Sequence, residues 1–179
     1  MSLPPNKSLL KDYPNRVFCE TGSYRGDAIA EALDAGFSRI ISIEIDPEQI
    51  KFCKNRFDLF REPRPEIKLI QGNSAVCLWD AIKDINEPIT FWLDSHSQWF
   101  EDEPHNDTPF PLLLELRQIA RHPIKSHTLI LDDILILTHP DVTGWSRKDI
   151  EESILQINPN YKFQYIANPV KNNLLIATV

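Results

Sequence analysis

The chain predicts an α/β domain: a doubly wound, mostly parallel sheet with helices on both faces, closed by an antiparallel hairpin. Strand-like and helix-like segments alternate five times from Val17 onward, the order that builds a parallel sheet through crossover helices. The final segments, Tyr161–Ala167 and Asn173–Val179, read as two strands with no helix between them. The 179 residues, 42% hydrophobic and 25% charged, suffice for one domain with its own core and show no repeat or linker-like tract.

Each element has a local reason. Val17–Cys19 is a short apolar run, read as a buried strand. Asp27–Ala35 is helix-forming, with Ile29, Ala30 and Leu33 at helical spacing and Gly36 as a stop. Arg39–Ile45 is rich in β-branched residues and reads as the second strand. Pro47 suits the first turn of a helix whose apolar face is Ile50, Phe52, Cys53 and Phe57. Ile67–Gln71 follows as a strand, Gly72-Asn73 as a turn, and Ser74 as the cap of a helix running through Trp79 and Ile82. Ile89–Leu93 is the fourth strand, and Trp99–Asp107 is acidic and irregular. Pro109–Arg121 is a helix carrying Leu112, Leu113, Leu116 and Ile119. Thr128–Leu131 is the fifth strand, and Ser146–Ile157 is an amphipathic helix.

Composition narrows the partners. A net charge of −7, with lysines and arginines dispersed, argues against a nucleic-acid partner. Cys19, Cys53 and Cys77 follow no pattern and read as reduced, buried thiols. The N-terminal MSLPPNKSLLKDYPNR lacks the apolar stretch of a signal peptide, and no segment approaches the length of a membrane span. A cytoplasmic protein without a membrane partner is expected.

In doubly wound sheets ligands bind beyond the carboxyl ends of the strands, so the residues there carry the functional reading. The first strand runs into Glu20-Thr21-Gly22-Ser23-Tyr24-Arg25-Gly26-Asp27, which spends two of the chain's five glycines on one bend. Such a bend before a helix admits the backbone close to a carboxylate or phosphate, or is a plain strand-to-helix turn. Glu44 ends the second strand 22 residues beyond Gly22, where an acid can accept hydrogen bonds from ribose hydroxyls. Together the two features point to a nucleoside-containing ligand. The spacing Gly22-x-x-x-Gly26 is not that of a nicotinamide-binding loop, and no phosphate-binding P-loop motif is present. Asn73 and Ser74 offer an amide and a hydroxyl to an adenine edge, or serve only the turn and cap.

The fourth strand ends in Asp94-Ser95-His96 and the fifth in Asp132-Asp133. Three carboxylates at adjacent strand ends suit Mg²⁺, Mn²⁺ or Ca²⁺; alternatively Asp132 or Asp133 caps the next segment and Asp94 holds the cofactor. His96 can take a proton from a substrate hydroxyl, ligate a metal, or be an inert loop residue. His105, His122, His127 and His139 are expected on the surface or in loops. Trp99 and Phe100 can stack on a sugar or aromatic ring, or pack their own loop.

Taken in order, Glu20-Thr21-Gly22 with Gly26-Asp27, Ser42-Ile43-Glu44-Ile45-Asp46, Gly72-Asn73-Ser74, Asp94 and Asp132-Asp133 resemble the class I S-adenosylmethionine-dependent methyltransferases over essentially the whole chain. More narrowly, ETGSYRGD, FWLDSHS, DTPFPLLLEL and HTLILDDI resemble a set of small bacterial and viral methyltransferase-like proteins, some with relatives fused to glycosyltransferases. The resemblance implies a single-domain Rossmann-like fold spanning residues 1–179, with a seven-stranded sheet, and S-adenosylmethionine as cofactor. Glu20, Thr21, Gly22, Ser23, Tyr24 and Gly26 then hold the methionine portion, Glu44 and Ile45 the ribose side, and Asn73 and Ser74 the adenine.

Asp94, Asp132 and Asp133 match the Mg²⁺ positions of catechol- and macrocin-type O-methyltransferases. The catechol-type base is a lysine near the fourth strand; none lies between Asp94 and Asp107, and His96 stands in. Two departures are the missing middle glycine of the bend and Asn73 where an aspartate is more usual. The Asn- or Asp-Pro-Pro-aromatic motif of base-modifying N-methyltransferases is absent. The implied activity is metal-assisted O-methylation of a small-molecule or glycan acceptor, with a homodimer as a further expectation. A metal-independent methyltransferase and a non-catalytic nucleoside-binding module are the alternatives.

Overall fold

The computed structural model describes residue 5 and residues 7–57, 65–96, 108–168 and 170–179, the last segment by backbone alone at 170–172. The elements run α1 (Lys7–Lys11), β1 (Val17–Thr21), α2 (Asp27–Ala35), β2 (Arg39–Glu44), α3 (Pro47–Phe57), β3 (Glu66–Gln71), α4 (Ser74–Ile82) and β4 (Ile89–Leu93). They continue with α5 (Leu112–Arg121), β5 (Thr128–Leu131), α6 (Ile134–Leu137), α7 (Arg147–Leu155), β6 (Lys162–Asn168) and β7 (Val170–Thr178). They form one seven-stranded sheet in the order β3-β2-β1-β4-β5-β7-β6. Strands β1 to β5 pair in parallel, and β7 and β6 close the edge antiparallel. Among the described residues no helix is long and apolar enough to cross a membrane.

The apolar residues explain the layering. In β1, β4 and β5 every residue is buried, as befits central strands covered on both faces. Alternate residues divide between two cores. Cys19, Ile41, Phe91 and Leu129 pack with α4, α5 and α7. Phe18, Ile40, Trp92 and Ile130 pack with α2 and α3. Strand order reverses between β1 and β4, and the registers Thr21↔Ile43, Thr21↔Leu93 and Leu93↔Leu131 bring the carboxyl ends level. A crevice at that reversal is where such a sheet takes ligands.

The local reading differs from the structure in several places. Strand β1 continues through Thr21, so Glu20 sits within the sheet, paired with Ser42 and Trp92. Asn73, not Ser74, caps α4: its side chain accepts the Ala75 N–H. Helix α5 starts at Leu112, with Pro111 as its N-cap. Helices α1 and α6 carry no strong sequence signal. Cys19 and Cys53 are buried free thiols and Cys77 is half-buried.

His122 and His127 lie in the loop between α5 and β5, as expected, but are buried rather than on the surface, at 0% and 1% exposure, whereas His139 is exposed. His127 Nδ1 accepts the Ile89 N–H at 3.0 Å. Its Nε2 therefore carries the proton and donates to His122 Nδ1 at 3.1 Å. His122 Nδ1 also accepts the Ile124 N–H at 3.3 Å. The pair supplies acceptors to two backbone amides, that of the fully buried Ile89 and that of Ile124 in the loop.

Candidate functional site

The bend after β1 is shaped by its backbone. Gly22, Tyr24 and Gly26 all have positive φ, which is uncommon for the tyrosine and natural for the glycines. A Cβ on Gly22 would lie 2.7 Å from the Asp94 carbonyl oxygen, so any larger residue would push the bend off the end of β4. The bend is tied to β2: the Tyr24 N–H donates to Glu44 Oε2 at 2.8 Å, and the Asp46 N–H to Glu44 Oε1 at 2.9 Å. Glu44 is thus buried, turned toward the bend, and held by backbone donors. Burial raises its pKa, and those donors oppose the rise. Thr21 and Ser23 are buried, Ile45 is half-buried, and Tyr24 is exposed with the Arg25 guanidinium 5.5 Å from its ring.

Glu20 lies below the bend and is 0% exposed. Its Oε1 accepts from Ser42 Oγ at 2.6 Å, and Ser42 in turn bonds the Ser23 hydroxyl. Its Oε2 is buried with no hydrogen-bond partner among the described residues. Burial pushes the carboxyl up to about 8, against the Ser42 hydrogen bond and helped by Asp94 and Glu44. A carboxylate oxygen buried without a donor is costly, and a cationic ligand group would relieve it.

On the β3 side the Asn73 side chain is engaged in its capping bond, 2.9 Å from the Ala75 nitrogen. Ser74 is buried beside Ser95, with their hydroxyl oxygens 3.2 Å apart, and Ser95 donates to Glu115 Oε1 at 2.5 Å. Glu115 is a buried acid on α5, its pKa raised by burial against hydroxyl donors. Sequence reasoning missed it, although an acid at position 115 lies on the same helical face as Leu112, Leu116 and Ile119. Ser42 stands in the strand-end motif but sequence reasoning gave it no role; a serine inside a β-branched strand was the available signal.

At the ends of β4 and β5 the structure gathers Asp94, His96 and Asp133, with one potential ligand atom from each lying within 4.8 Å of the others. His96 Nε2 is 2.9 Å from Asp133 Oδ2 and 3.6 Å from Asp94 Oδ1. Burial would raise Asp133, but hydrogen bonds from His96 and Asn173 outweigh it and hold the carboxyl below its ordinary range. Asp132 lines the same crevice as Asp94 and His96, and its oxygens are engaged: Oδ2 accepts from Asn168 at 2.9 Å and Oδ1 from the Asp133 N–H at 2.8 Å. Burial, with Asp94 nearby, pushes its carboxyl up. Asn168 and Asn173 had no sequence signal. Trp99, Phe100 and His105 lie outside the described residues.

No protein-family model matches the chain, and no curated protein matches it. Solved structures do. The O-methyltransferase from Bacillus cereus in complex with SAH superposes with a TM-score of 0.65 at 12% identity, covering 97% of this chain and 78% of that one. The fold is that of the class I methyltransferases. The SAH-bound methyltransferase PaMTH1 of Podospora anserina matches with a TM-score of 0.64 at 13% identity over 96% of this chain and 75% of its own. A TehB-like SAM-dependent methyltransferase from Corynebacterium glutamicum gives 0.57 at 15% identity, covering 96% and 84%. At such identities the likeness is one of architecture. In a methyltransferase fold the crevice between β1 and β4 is also where this chain concentrates its buried acids.

Proposed function

We propose that the chain is an S-adenosylmethionine-dependent methyltransferase that methylates a hydroxyl of a small molecule or glycan with the help of a divalent cation. The observation that carries the cofactor reading is Glu20: a buried carboxylate with one oxygen lacking a donor, under a bend that only a glycine at 22 can make against the Asp94 carbonyl. The residues present fit the cofactor. Glu20 would accept a hydrogen bond from the amino group of the methionine portion, and the Gly22–Gly26 bend would cradle it. Glu44 accepts one backbone donor at each oxygen and retains lone pairs for ribose hydroxyls. Once bound, the sulfonium supplies an already activated methyl group, so alignment is the main task left to the protein.

Asp94, His96 and Asp133 would hold the cation: two carboxylates and an imidazole within a few ångströms of one another. Oxygen donors suit Mg²⁺ and Mn²⁺, and the imidazole favours the latter. A bound cation orients an acceptor hydroxyl and lowers its pKa. Asp132, bonded by Asn168, lines the same crevice. The acidic net charge favours a small-molecule or glycan acceptor over nucleic acid.

One observation favours a second reading. The 2.9 Å hydrogen bond between His96 and Asp133 satisfies both groups without a cation. His96, oriented by Asp133, would then be the base that accepts the hydroxyl proton in a metal-independent enzyme.

Calorimetry with S-adenosylmethionine, with and without Mg²⁺ or Mn²⁺, tests the cofactor and cation together. A methyl-transfer screen over nucleotide sugars, glycans and catechols then tests the acceptor. Cofactor binding with cation-dependent transfer supports the first reading, and cation-independent transfer supports the second. Failure of the chain to bind the cofactor would overturn both.

A further inference from the structure

We propose that Asn173, on β7, is a positioning residue that presents the Asp133 carboxylate to the cation cluster by capping α6 in its place. The inference rests on the cation reading above. Asp133 is the N-cap of α6, where an aspartate ordinarily folds its carboxylate back onto the helix's own first amides. It makes no such bond, and its backbone is left-handed at φ 53, ψ 37. The second helical amide, Leu135 N–H, instead donates to Asn173 Oδ1 at 3.1 Å.

The other end of the same amide completes the arrangement. Asn173 Nδ2 donates to Asp133 Oδ1 at 2.8 Å and to the Asn168 carbonyl at 3.0 Å. Both donors and the acceptor of this buried side chain are thereby used, which leaves it one orientation. Asp133 Oδ1 is held from behind, and Oδ2 is turned to His96 at 2.9 Å. Asn168 treats the neighbouring acid likewise, donating to Asp132 Oδ2 at 2.9 Å. Two asparagines of the hairpin, Asn168 and Asn173, therefore orient the two acids that follow β5. Partners that orient metal-binding side chains commonly matter by about 10–100-fold in metal affinity.

The test is Mn²⁺ titration of the full chain, read from the electron paramagnetic resonance signal of the free ion. Thermal melting and S-adenosylmethionine calorimetry run alongside as measures of the fold and of the other half of the site. Asp133→Asn sets the effect of losing a ligand outright. Asn173→Ala is expected to weaken Mn²⁺ by about 10–100-fold while melting cooperatively and binding S-adenosylmethionine within about twofold of wild type. A merely structural asparagine would lower the melting temperature and leave the Mn²⁺ affinity of the folded protein unchanged, and that result overturns the proposal. Asn173→Ser, a smaller polar replacement too short to keep the bond to Asp133 Oδ1, covers the case in which Asn173→Ala does not fold; it is expected to weaken Mn²⁺ at least threefold, and wild-type affinity there counts against the proposal. Wild-type protein that binds no Mn²⁺ would remove the cation reading itself, whereas a wild-type protein that binds it beside an equally competent Asn173→Ala removes only the role of Asn173.

Discussion

Replacing His127 by asparagine is expected to erase one component of the protein's acid sensitivity while leaving the fold intact. In the folded chain burial, with His122 and Lys125 nearby, lowers the His127 pKa from 6.5 to about 3. The unfolded chain takes up the proton near 6.5. A group whose folded pKa is depressed in this way favours folding above the unfolded value, and the advantage is lost as pH falls from 6.5 toward 3. At pH 5 the unfolded histidine is 1.5 units below its pKa and the folded one is still neutral. At about 1.36 kcal/mol per unit the loss is about 2 kcal/mol.

The wild-type curve alone does not isolate this loss. Glu20, pushed up to about 8, and Asp132, also raised, act in the opposite sense: they take a proton in the folded state first and add stability as pH falls. The difference between wild type and His127→Asn removes them. Asparagine places an oxygen near the position of Nδ1 and retains an acceptor for the Ile89 N–H, but loses the contact with His122. It is expected to be less stable at pH 8 by about 1–3 kcal/mol, and the gap should narrow by about 2 kcal/mol on going to pH 5. Urea titrations at pH 8, 7, 6 and 5 measure it. Parallel stability curves for the two proteins would refute the reasoning, because they would mean that His127 titrates alike in both states or is not buried neutral.

Other outcomes follow from the crevice. Because a cationic ligand calls for ionised Glu20, affinity for S-adenosylmethionine measured by calorimetry should fall up to about tenfold per unit as pH drops below about 8, and Glu20→Gln should weaken binding and flatten the profile. Gly22→Ala forces a side chain into a backbone at φ +84 and a Cβ to 2.7 Å from the Asp94 carbonyl. The left-handed backbone alone costs about 1–2 kcal/mol, so melting should drop by several degrees and cofactor affinity by at least about tenfold; wild-type values for both would contradict the placement of the bend. Chelation with EDTA should abolish methyl transfer to a hydroxyl acceptor and Mn²⁺ should restore it, whereas transfer that survives chelation favours the His96–Asp133 base.

The parts of the fold and site that were legible in the sequence are those decided over a few residues. Ile40, Ile41 and Ile43 mark a strand by composition, Gly36 ends a helix with its positive φ, and Glu44 stands one bend and one helix beyond Gly22. The seven-stranded order is the assembly of such units under a rule of handed crossovers. What escaped depends on contacts formed only when distant segments meet. The histidines at 122 and 127 flank Pro123, Ile124, Lys125 and Ser126 in a stretch that reads as an ordinary loop. They are buried because Ile89, in another strand, needs an acceptor there. Asn173 is the clearest case. It lies 40 residues from Asp133, and nothing around it in NPVKNNLLIATV marks it as part of a site. The register Leu131↔Leu175 brings it there, since two residues past Leu131 and two before Leu175 in an antiparallel pair are Asp133 and Asn173. The donor that orients a strand-end acid is thus fixed by the closing of the last hairpin, and a change that slips that register by one residue would turn Asn173 to the other face of the sheet.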